Sequence, residues 1–99
     1  MDNMDILIGR SRNIAQQVTE AERLGNPINN LVEQQLQVME EYHDEFVKQA
    51  TANGMDTLER DKTEIKLFSY MKMWAEKIGL PTEKYDKAIK AIQQCYFKD

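Results

Sequence analysis

The sequence predicts an all-α fold of about four helices in a small antiparallel bundle, with helices 2 and 3 as a long central hairpin. Apolar residues recur at steps of three and four in successive segments, the period of one helical face. The chain holds only two prolines and four glycines in 99 residues, too few turn-formers for many short strands. The punctuating residues fall at the joints between the apolar series, so the connections are short and neighbouring helices should run antiparallel.

Helix 1 is expected over 4–24, carried by Met4, Leu7, Ile14, Val18, Ala21 and Leu24. Gly25 should stop it, because glycine adopts the left-handed capping conformation at little cost. Asn26-Pro27 then reads as a helix start, with Asn as cap and Pro in the first turn. Helix 2 is expected over 27–52, with the stripe Ile28, Val32, Leu36, Met39, Tyr42, Phe46 and Ala50, flanked by Leu31 and Val47. Asn53-Gly54 ends it. Asp56 or Thr57 begins helix 3, and Glu59 stands three residues after Asp56 as in a capping box.

Helix 3 is expected over 57–78, with Leu67, Phe68, Met71, Trp74, Ala75 and Ile78 as its stripe. Gly79 and Leu80-Pro81 make the turn, and Thr82 caps helix 4, expected over 82–97 with Tyr85, Ala88, Ile89, Ile92, Cys95 and Tyr96. Helices 1 and 4 are expected to cover the hairpin. A closed monomer and a homodimer in which two hairpins share a core both fit this pattern. The whole chain reads as one domain.

Hydrophobic residues at 41% and charged residues at 30% place the chain among folded globular proteins rather than disordered ones. Its net charge of −4 opposes the nucleic-acid backbone, so no direct nucleic-acid binding is expected. The basic residues Lys84, Lys87, Lys90 and Lys98 are interleaved with Glu83, Asp86 and Asp99 and read as a solvated face. The single cysteine, Cys95, excludes an intrachain disulfide and fits a reducing cytoplasm. It lies on an apolar face and reads as a small core residue. No apolar run approaches the ~20 residues of a membrane span.

Polar residues interrupt the hairpin stripe. His43 falls roughly 40° from Met39 and roughly 60° from Phe46 around helix 2. Glu64 falls roughly 20° from Met71 on helix 3, and Arg60 stands one turn earlier on the same face. Folding the hairpin about Gly54 brings His43 opposite Glu64 or its neighbour. A buried imidazole needs a hydrogen-bond partner and a carboxylate supplies one, so His43, Arg60 and Glu64 read first as a polar contact that fixes register.

The same region carries a carboxylate pattern. Glu40-Glu41-x-x-Asp44 is followed by Asp61-x-x-Glu64, and it resembles the motif of the MazG-type all-α nucleotide pyrophosphohydrolases. Asp stands for Glu at 44 and 61, and Glu for Asp at 64. That resemblance, over about residues 31 to 95, implies a magnesium site on Glu40, Glu41, Asp44, Asp61 and Glu64 held against nucleotide phosphates. Glu40-x-x-His43 also has the spacing of one half of a di-iron site, for which a symmetric dimer would have to supply the other half. No glycine-rich phosphate loop, zinc set or nucleophile–histidine–acid set is present in the sequence.

The leading expectation is therefore a small non-enzymatic regulator, adaptor or inhibitor that binds another protein. A cytoplasmic bacterial or phage accessory factor fits the size. The expected contact residues are Trp74, Tyr85, Tyr96 and Phe97, and the acidic surface favours a basic partner. This reading needs no cofactor. The magnesium-dependent hydrolase is the alternative.

Overall fold

The structure is a computed structural model that describes residues 2–97, with side chains through Cys95. Four helices follow one another: α1 (Asn3–Leu24), α2 (Asn29–Ala52), α3 (Thr57–Lys77) and α4 (Glu83–Phe97). None of them is long and apolar enough to cross a membrane, among the described residues.

The caps show why the helices begin and end where they do. Asp2 accepts from the Met4 N–H at 3.3 Å and holds the start of α1. At its end Gly25 takes φ 74°, and the Asn26 N–H closes back on the Ala21 carbonyl at 2.8 Å. This overturns the expected start of α2 at Asn26-Pro27. The Asn26 backbone N–H terminates α1, and among the described residues its side chain makes no hydrogen bond to the start of α2. The helix therefore starts at Asn29, with Ile28 as its cap and no side-chain capping bond. For α3, Asp56 accepts from the Glu59 N–H at 3.4 Å, the first half of the expected capping box.

The helices pack in chain order, α1 on α2, α2 on α3 and α3 on α4, and no other pair is in backbone contact among the described residues. Helices 1 and 4 thus each cover one arm of the hairpin instead of closing over it together. The antiparallel run of α1 and α2 is fixed at two levels. Gln49 Nε2 donates to Asp2 Oδ1 at 2.9 Å, and Gln35 Nε2 donates to the Ser11 carbonyl at 3.2 Å. Between α3 and α4, Lys72 Nζ lies 2.8 Å from Asp86 Oδ1, and this hydrogen bond holds the Lys72 ammonium above its ordinary value.

The result is an open, flattened bundle of 49 × 34 × 15 Å. Its radius of gyration is 15.0 Å, against about 13 Å for a compact chain of this length. It exposes 6847 Å² of surface, where a compact chain of this mass exposes about 5,800 Å². One buried cluster runs along α2 and joins Leu7, Ile14 and Val18 of α1 to Val32, Leu36, Val38 and Met39, with Met71 and Ala75 of α3 and Tyr85 of α4 completing it.

Candidate functional site

Two places on the molecule combine geometry with chemistry: the polar contact inside the α2–α3 hairpin, and an open groove between α1 and α3.

In the hairpin, His43 Nε2 lies 2.8 Å from Glu64 Oε1. Helical phase puts both residues on the facing sides of α2 and α3, and their side chains keep only 18% and 15% of their exposure. With Glu64 ionised, the imidazole donates through Nε2. Nδ1 looks toward Asp44 Oδ1 at 3.6 Å, and the ring packs on Phe68 at a centroid distance of 4.7 Å. Glu64 Oε2 faces Arg60 Nε at 3.8 Å, and Arg60 Nε faces Asp61 Oδ1 at 3.5 Å. These last two distances suit charge attraction, and Arg60 Nε is buried without a hydrogen bond. Nε2 is taken up by Glu64, and Nδ1 faces the exposed Asp44 at the edge of a small open cleft that His43 lines with Glu40, Phe68 and Lys84. The arrangement orients two helices.

The five acidic residues of the carboxylate pattern do not converge on one point, although Glu40 and Asp44 share a small cleft with His43, and Asp61 and Glu64 both flank Arg60. Glu40 Oε1 lies 3.4 Å from Lys84 Nζ of α4. Glu41, its neighbour, turns about 100° away around the helix and lines a cleft against Arg10 and Ile6 of α1, where Asp44 also lies. Asp61 is buried, and Glu64 is engaged by His43. Among the described residues, no group of three or more His, Cys, Asp or Glu side chains is placed to hold a metal ion.

The expected aromatic contact residues separate as well. Tyr85 is 3% exposed, a correction to its reading as a surface residue: it stands on the side of α4 that α3 covers and joins the core. Trp74 is half-buried against that core, with Lys77 Nζ 5.8 Å from its ring centroid. The side chains of Tyr96 and Phe97 lie outside the described residues. Cys95, expected in the core, is exposed, because it stands in the last turn of α4.

The groove lies over α2 between α1 and α3. Its volume is about 580 Å³; Val38, Met39 and Tyr42 form its floor, Leu7, Ile8, Ser11 and Arg12 one wall, and Leu67 and Tyr70 the other. Lys77 of α3 reaches across to Glu22 of α1 at 3.5 Å toward its far end. Tyr70 is 53% exposed and Met73 51%, the two large apolar groups of α3 left most open. Sequence reasoning passed over both. The signal was the breadth of the apolar arc on α3, where Tyr70 and Met73 widen a stripe already complete without them.

Gln35 was also passed over. It is 2% exposed, and its Oε1 has no hydrogen-bond partner. Its signal was the series Ile28, Val32, Gln35, Met39, Tyr42, Phe46, whose alternating steps of four and three make Gln35 a core position of a heptad.

No protein-family model matches the chain, and neither does any curated protein or any solved structure.

Proposed function

We propose that this chain is a non-enzymatic protein-interaction module, a small regulator, adaptor or inhibitor, and that it works by accepting a helix of another protein chain in the α1–α3 groove. The carrying observation is the groove itself: an apolar floor of Val38, Met39 and Tyr42, open to solvent and bordered by the half-exposed Tyr70, with the half-exposed Met73 one turn further along α3. An apolar groove walled by two helices suits the apolar face of a third. This moves the contact surface from Tyr85 to Tyr70 and Met73, and keeps Trp74 as a neighbour on the same helix.

The magnesium-dependent nucleotide hydrolase draws no support from the site, since Glu40, Glu41 and Glu64 turn to Lys84, to α1 and to His43.

Affinity capture with the full chain tests the proposal. Glu at Leu67 or Tyr70 sets a charge in the groove wall and should remove the captured chains, whichever they are, with the helical circular-dichroism signal retained. The same captured set with both variants as with the wild type would show that the groove is not the docking surface.

A further inference from the structure

The geometry points to a second copy of this chain as the occupant of the α1–α3 groove, making the working unit a two-fold symmetric dimer. This inference rests on the reading of the groove as a docking surface and adds the identity of what docks there.

The first support is area. The chain exposes 6847 Å², about 1,000 Å² more than a compact chain of its mass. An interface of standard size removes about 800 Å² from each partner. The flattened shape thus leaves open roughly the surface that one such interface would cover.

The second support is self-complementarity. A two-fold contact uses the same patch on both copies, so that patch must carry both a depression and the projection that fills it. The groove and the Tyr70–Met73 ridge lie side by side, because Tyr70 both forms the α3 wall and stands half out of it. A two-fold axis beside α3 sets each ridge over the groove of the other copy.

The third support is chemical. Arg12 stands on the α1 wall, facing Tyr70 across the groove. Among the described residues neither side chain has a hydrogen bond, ion pair or ring contact. In the dimer, the Tyr70 ring of one copy comes to the Arg12 wall of the other, where a guanidinium and an aromatic face attract. Net charge opposes association of two chains at −4 each, but Arg12 is the one charged side chain of the groove lining, so the centre of the contact holds no acid.

Sedimentation velocity on the purified full chain over a range of micromolar concentrations tests this. The wild type should shift from one chain mass to two as concentration rises. Tyr70→Glu should raise the dissociation constant by at least about tenfold, the loss expected of a central interface aromatic. Met73→Glu should do the same, which guards against a fold defect in either variant. Leu80→Glu lies outside the groove, at the α3–α4 turn, and should dimerise as the wild type does. A wild type that stays monomeric throughout overturns the second-copy inference while leaving the docking reading to its capture test. Dimers of unchanged strength in both ridge variants overturn it equally.

Discussion

Helix α2 meets its two long neighbours on different terms. Toward α1 the contact is mostly apolar, with Leu7, Ile14 and Val18 in the same buried cluster as Val32 and Val38. Toward α3, near the hairpin turn, it is polar, with His43 on Glu64 and Arg60 and Asp61 beside them. Apolar burial is non-directional and tolerates sliding by a turn, whereas a hydrogen bond between two half-buried side chains is satisfied in one register only. The difference shifts the balance: the α1 side is weighted toward strength, with the Gln49–Asp2 and Gln35–Ser11 bonds marking its register, and the α3 side toward alignment.

The sharpest way to break this comparison is to hollow out the α1 side. Ile14 is 8% exposed, and Ile14→Ala should cost about 2–5 kcal/mol, a large share of the about 5–15 kcal/mol that holds a domain together. Urea unfolding followed by circular dichroism measures it. A loss well under 1 kcal/mol, on the scale of a surface substitution, would mean that α1 is not a main source of strength.

The next effect lies on the α3 side. Glu64→Leu strands His43 and leaves the Arg60 guanidinium with less compensation, and should cost about 1–3 kcal/mol. The double substitution His43→Leu with Glu64→Leu should recover the share owed to the stranded His43, because removing both partners of a buried polar pair is close to neutral, and leave the share owed to Arg60. The two changes should therefore be strongly non-additive in a double-mutant cycle. Additive losses would show that the pair is a surface accident and not a coupled contact.

Much of this was legible in the sequence, for identifiable reasons. Gly25, Gly54 and Gly79 mark the joints, and helical phase with the position of Gly54 is enough to set His43 against Glu64, because short loops fix both the order and the direction of neighbouring helices. Which face a helix turns to solvent is another matter. Tyr85 and Cys95 lie on one apolar series of α4, yet the first is buried and the second exposed, since coverage depends on how far α3 extends alongside. The α1–α3 groove is set by the spread of two helices that never touch each other's backbone, and no local pattern encodes that angle. The start of α2 was misread because Asn26 could serve either helix, and closing α1 on Ala21 claimed it first.

The smallest effect concerns the buried polar group on the mostly apolar α1 side. Gln35 occupies a heptad core position, donates to the Ser11 carbonyl, and leaves its Oε1 buried without a donor. The Ser11 carbonyl is mid-helix, where it already accepts a bond from the following turn, so losing the amide costs it little. Removing an unsatisfied buried oxygen gains more, and Gln35→Leu should raise stability by about 1 kcal/mol. A polar residue in such a position commonly trades stability for register. The stabilised variant should then show α1 less firmly aligned, as broadened amide resonances over Leu7–Val18 at unchanged helix content. A stability loss of about 1 kcal/mol or more would instead place a buried water on Oε1. In that case the α1 side, too, would hold its alignment through a satisfied polar network, and the division between strength and alignment along α2 would disappear.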